Sequence, residues 1–143
     1  MSLGLFNLGT AVVTAAVTDS VITAANFNGA PASFIGGLGG MKSLTAWADF
    51  VYGSGGSTAI LKLQTSLDQG LSWIDILRFD FAQANRKAIA SVGVFAGVAP
   101  ASVAALGAEG KLDNILGDRV RAILTSSGTY AANTSIACRI AAR

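Results

Sequence analysis

The side chains in this chain that could act as a general base are its carboxylates. There are seven aspartates and one glutamate, one cysteine and no histidine. Without an imidazole there is no histidine-based triad, no histidine metal cluster and no base poised near neutrality. Glycoside hydrolysis would need two carboxylates facing each other. Asp49, Asp68, Asp80, Glu109, Asp113 and Asp118 instead fall among expected turns and strand edges. Asp75 stands out because it shares parity with Trp73 and Leu77, and an ion pair with Arg78, Arg119 or Arg121 accounts for it better than catalysis. Asp113, Asn114 and Asp118 supply oxygen ligands close in sequence, but without the spacing of an EF-hand calcium loop. Cys138 lies between Ile136 and Ile140 on the inward parity of a strand, the setting of a small buried hydrophobe and not of a reactive thiol. A lone cysteine makes no internal disulfide, which suits folding in a reducing cytosol. These residues predict no enzyme, no cofactor and no metal site.

The elements that position them centre on Ser66-Leu67-Asp68-Gln69-Gly70-Leu71-Ser72-Trp73. Before it, Leu61, Leu63 and Thr65 alternate with Lys62 and Gln64; after it, Leu77, Phe79 and Phe81 alternate with Arg78 and Asp80. Both runs read as half-buried strands, so the segment between them is a hairpin turn. In this turn Asp68 accepts backbone N–H bonds, Gly70 takes a positive φ, and Trp73 opens the return strand as an apolar lid. Ser66, Asp68, Gly70 and Trp73 are thus expected to be structural. Ile74 and Ile76 fall on the parity opposite to Leu77, which predicts either a strand covered on both faces or a bulge. The pattern S-x-D-x-G-x-[ST]-W resembles the Asp-box of sialidases and related propellers. There it recurs once per blade, and a propeller needs at least four blades of roughly 40 residues. A single copy in 143 residues does not support that fold.

Between Met1 and Met41 the only ionisable side chain is Asp19. The start lacks the basic region of a secretory signal, and its apolar stretch Ala11–Val17 is short and broken by Thr14. No apolar run reaches the roughly 18 residues of a membrane span. Alternation suggests strands over Val13–Val17 and Val21–Ala25 with a turn at Asp19-Ser20. Residues 1–41 are read as a charge-poor region or arm and 42–143 as a β-sandwich domain; the first region either packs on a neighbour or belongs to the domain's own sheets. Gly36-Gly37-Leu38-Gly39-Gly40-Met41-Lys42-Ser43 lacks the glycine that a phosphate loop places before its lysine, so with Pro31 it reads as a mobile connection.

Gly53–Ser57 has the length and chemistry of a hairpin loop between strands Leu44–Tyr52 and Ala59–Thr65. Arg86–Val92 reads as a strand, and Ala101–Leu106 as one or two helical turns after Pro100. Lys111–Asp118 reads as a polar connection, and Arg119–Thr125 and Thr134–Ala142 as a closing hairpin around Gly128. About eight strands joined by Gly-, Ser- and Asn-rich turns predict an all-β fold: an antiparallel β-sandwich or jelly roll, with a small closed barrel as the alternative.

Apolar residues make up 52% of the chain and charged ones 13%, about half the usual share. A surface so poor in charge is expected to meet other protein. A net charge of +2 is too small to point to nucleic acid.

Leu63-Gln64-Thr65-Ser66-Leu67-Asp68, Trp73-Ile74-Asp75-Ile76, Leu116-Gly117-Asp118-Arg119-Val120-Arg121-Ala122, Ser127-Gly128-Thr129-Tyr130 and Arg139-Ile140-Ala141-Ala142-Arg143 together resemble the small β-rich virion proteins of tailed bacteriophages. The resemblance covers roughly half the chain. It implies a structural role in the virion, assembled in the host cytoplasm, and is similar to capsid decoration (cement) proteins. Such proteins typically form homotrimers that clamp the major capsid protein or another virion protein, with no direct contact to nucleic acid or membrane. Under that reading residues 2–41 carry capsid contacts and the two Gly-rich loops shape subunit contacts. A tail or head–tail connector component has the same composition. A carbohydrate-binding β-sandwich module is a rival class, although Trp47, Tyr52, Trp73 and Tyr130 are scattered along the chain.

Overall fold

A computed structural model describes residues 4–23 and 33–143. Ten strands form: β1 (Gly4–Val12), β2 (Val17–Val21), β3 (Ser43–Val51), β4 (Ser54–Gly55), β5 (Thr58–Ser66), β6 (Ile74–Phe81), β7 (Arg86–Gly93), β8 (Arg119–Ser127), β9 (Tyr130–Ala131) and β10 (Ser135–Ala142). Two four-stranded antiparallel sheets have the orders β1-β10-β3-β7 and β2-β8-β5-β6, and β4 and β9 make a two-stranded clip. The chain is all-β and open, a sandwich and not a closed barrel.

The eight long strands pair first with last, second with seventh, third with sixth and fourth with fifth: β1·β10, β2·β8, β3·β7 and β5·β6. That is one long hairpin rolled into two sheets, the order of a jelly roll. The roll sends successive strands to opposite sheets almost everywhere. Two expected hairpins are corrected by it. Gly53–Ser57 joins β3 to β5, which lie in different sheets, and its residues instead pair with β9. β8 and β10 likewise lie in different sheets and do not form a closing hairpin.

The core forms where inward rows of the two sheets meet. Leu44, Ala46, Ala48 and Phe50 of β3 and Ile136, Cys138 and Ile140 of β10 face Leu61, Leu63, Phe79, Phe81, Val120 and Ala122. Alanines let the sheets approach in the middle, while aromatics fill one end, where Phe50 stacks on Phe81 at 5.0 Å. The alternation expected for β6 is present, with Leu77, Phe79 and Phe81 buried. Its parity break is a bulge: Leu63 pairs with Leu77 but Gln64 pairs with Asp75, leaving Ile76 extra.

At the N-terminus the strands differ from those expected over Val13–Val17 and Val21–Ala25. β1 is an edge of one sheet beside β10 and β2 an edge of the other beside β8. Asp19 is not a turn between strands; it lies inside β2 with φ 48°, where the register with β8 shifts. The end of the expected Val21–Ala25 strand, and Pro31, fall outside the described residues. Residues 101–106 form no helical turn but an irregular segment within the connection 94–118. That alanine-rich stretch has helix propensity but no apolar stripe at helical spacing to bury.

Candidate functional site

Among the described strands, the Ser66–Trp73 turn is the one place where consecutive long strands of the same sheet are joined directly. Asp68 Oδ1 accepts the Ser72 N–H at 2.8 Å and the Ser66 hydroxyl at 2.9 Å, while Oδ2 accepts the Ser72 hydroxyl. Ser66 Oγ accepts the Gly70 N–H at 2.8 Å. Gly70 has φ 90°, and a Cβ there would meet Arg119 Nη1 at 2.9 Å. The Ser72 hydroxyl and N–H hold the Asp68 carboxyl below its ordinary value. This carboxylate is committed to a turn.

Trp73 reaches back over that turn, with a ring atom 3.8 Å from where a Gly70 Cβ would lie. Its ring also stacks under the Arg121 guanidinium at 4.3 Å and tilts against Phe34 at 6.1 Å. Arg119 lies over Phe34 at 4.7 Å and donates to the Gln69 carbonyl.

Asp75 is buried, and its partner is not an arginine. The Ile76 bulge turns it to the outer face opposite Gln64, where Lys62 Nζ lies 3.5 Å from Oδ2 and Gln64 Nε2 donates to Oδ1 at 2.7 Å. Arg121 reaches it only through Gln64, donating from Nε to Gln64 Oε1 at 2.9 Å. Arg78 turns instead to Asp80 in a two-pronged pair at 3.0 and 2.9 Å.

These groups hold the connection 94–118 across the outer face of the β2-β8-β5-β6 sheet. Asp75 Oδ2 accepts the Leu106 N–H at 3.3 Å, and Arg78 Nη1 donates to the Leu106 carbonyl at 2.9 Å. Residues 110–112 then run along β6, with Arg78 N donating to Gly110 O at 3.0 Å and Leu112 N to Ile76 O at 2.9 Å. Glu109 binds Arg86. Asp113 accepts the Gly93 N–H at 3.1 Å, and that bond, with Lys111, holds its carboxyl low. Asn114 Oδ1 accepts the N–H groups of Phe95 and Ala96 at 2.7 and 3.0 Å. The oxygens of Asp113 and Asn114 are therefore spent on the chain itself.

Gly93 to Ala108 contains no ionisable side chain, yet it lies on the surface, with Phe95 77% and Val103 68% exposed. Among the described residues the outer face of the β1-β10-β3-β7 sheet also carries exposed apolar side chains. Leu5 and Ile89 are 79% and 75% exposed there, and Leu5 lines a shallow cavity of about 730 Å³ with Trp47, Thr45 and Arg139 among others. Arg139 lies over the Trp47 ring at 5.5 Å. The sequence reading missed both surfaces. The signal for the second was present in β3, where Thr45, Trp47 and Asp49 alternate with Leu44, Ala46, Ala48 and Phe50.

Cys138 is buried, and burial pushes its thiol up to about 12. Among the described residues no three His, Cys, Asp or Glu side chains come together as a metal site, and no helix is long and apolar enough to cross a membrane. The arrangement offers apolar contact surface and internally satisfied polar groups. No protein-family model matches the chain, and no curated protein or solved structure matches it.

Proposed function

We propose that this protein is a structural subunit of a virion, foremost a capsid decoration protein of a tailed bacteriophage that binds and stabilises the major capsid shell as an oligomer. The observation that carries this reading is the 93–108 segment. It is free of charge, apolar and exposed, yet it is held at Leu106 by Asp75 and Arg78 and at Phe95 and Ala96 by Asn114. Long irregular connections are uncommon in compact domains unless they serve a function. Holding apolar groups rigidly in water is unfavourable for a lone chain and favourable once a neighbour covers them, at about 25 cal/mol per Å² before association costs.

β1 and β2 are strands of the two sheets, so deleting the N-terminal region would remove an edge from each. The test therefore uses substitutions on the loop. Particles assembled with the Val98→Asp or Val103→Asp chain should carry markedly less of it than particles with the wild-type chain. Undiminished occupancy overturns the role of the loop, and absence of the wild-type chain from particles overturns the reading. A tail or connector position shares the same physics, and imaging distinguishes it. The carbohydrate-binding reading draws on one observation, the Trp47-lined cavity with Arg139 at its rim; a glycan array tests it.

A further inference from the structure

The two sheets differ in how their outer faces are covered. The connection 94–118 lies over one, and there Gln64, Asp75 and Ile123 are buried. The other, β1-β10-β3-β7, has no such cover among the described residues. Its outward positions follow from the register: Asn7, Arg139, Trp47 and Ile89 form one row across the four strands, and Leu5, Ala141, Thr45 and Ser91 the next. Phe95 extends this surface, because it folds back on Gly93, where a Cβ would meet its ring at 2.5 Å. Leu5, Ile89 and Phe95, each at least 75% exposed, therefore share one face.

We infer that this face docks on a second copy of the same chain. Three arguments select that occupant. Strands about 4.8 Å apart and about eight residues long at 3.3 Å each give four of them roughly 500 Å² of face. Two such faces reach the ~1,000 Å² at which specific interfaces begin. The face also carries charges of both signs: Arg139 lies mid-strand on β10, and toward one end Asp49 on β3 lies opposite Lys87 on the edge strand β7. None of the three has an ion-pair partner among the described residues. A second copy brings an Asp49 carboxylate for Arg139 or Lys87, together with apolar surface of matching composition. Sheet faces pack in this way inside sandwiches, about 10 Å apart with interdigitating side chains. The inference deepens the oligomeric part of the virion reading, but it is read out on the purified chain alone, so its failure and the absence of the chain from particles are separate results.

Light scattering on the purified full-length chain tests it. The wild-type mass should be about twice that of one chain, because one face pairs with its own copy. Ile89→Lys and Leu5→Lys should each weaken association by about tenfold or more, whereas Val103→Lys, on the loop over the other sheet, should leave the mass unchanged. Arg139→Glu should weaken association, and adding Asp49→Lys to it should restore part of the loss. Thermal unfolding of every variant checks that the sandwich is intact. A wild-type chain that stays single at the highest concentration reached, as a glycan-binding or shell-only face would leave it, overturns the inference. So does a mass that Ile89→Lys does not lower, or a loss with Val103→Lys equal to that with Ile89→Lys.

Discussion

Asp80 and Glu109 exchange hydrogen bonds: the Asp80 N–H donates to Glu109 Oε2 at 2.8 Å, and the Glu109 N–H donates to Asp80 Oδ1 at 3.1 Å. Arg78 grips the first carboxylate and Arg86 the second. Burial raises both carboxyls, but these partners outweigh it and hold each below its ordinary value of 3.8 or 4.5. A folded-state value below the unfolded one adds stability that is complete above the unfolded value and is lost as pH falls through the folded one. The clasp should therefore be whole above about pH 5 and open progressively below pH 4. Hydrogen-exchange protection over 94–118, measured against the intrinsic rate at each pH, is expected to fall in that acid window by more than in β5 or β10. Glu109→Gln should bring fast exchange at neutral pH; equal protection at pH 7 and pH 3 would contradict the clasp.

Asp75 and Lys62 form a pair that is mostly shielded from water, with side chains 7% and 18% exposed. Removing the carboxylate leaves Lys62, Gln64 Nε2 and the Leu106 N–H without their acceptor. Asp75→Ala should cost about 1–3 kcal/mol by chemical denaturation, and Asp75→Asn less, because it keeps an oxygen for the N–H donors. If the two substitutions cost the same, the hydrogen bonds are not what matters at this position.

Tyr130 is 2% exposed, and its hydroxyl has no hydrogen-bond partner among the described residues. Its ring meets Phe50 edge-on at 6.3 Å. Tyr130→Phe keeps that packing and removes an unsatisfied group, so it should be neutral or stabilise by up to about 1 kcal/mol. A loss above 1 kcal/mol would mean that the hydroxyl has a partner after all.

The turn at Ser66–Trp73 should respond to backbone and side-chain changes alike. Gly70→Ala forces a Cβ into φ 90° beside Arg119 and should cost about 1–2 kcal/mol. Asp68→Ala removes three accepted bonds at once and should lower the thermal midpoint without changing the oligomeric mass. A change in mass would place the turn in an interface.

How much could be read from the sequence depended on distance along the chain. The β5–β6 hairpin was legible because its turn chemistry, Ser66 to Trp73, and both alternating strands lie within a few residues of one another. β7 and β8 were legible as strands for the same reason. Partners were not: in a rolled hairpin β1 meets β10 and β2 meets β8, and no local signal records that pairing. The Gly53–Ser57 and Gly128 turns carry ordinary hairpin residues, so both suggested hairpins where the chain in fact crosses between sheets. The partner of Asp75 depended on a one-residue bulge at Ile76, which sets whether it faces Lys62 or the arginines. The bare outer face was half legible, since alternation in β3 identifies Trp47 as outward but not what covers it.

The proposed virion role requires that this chain be covered by neighbours in a particle. Electron cryo-imaging of purified particles carrying the tagged chain tests it most directly. The expected map shows the two-sheet sandwich at repeated positions on the head, with Phe95, Val98 and Val103 buried against adjoining protein. A chain missing from the particle, or one present with that loop facing solvent at every position, would contradict it.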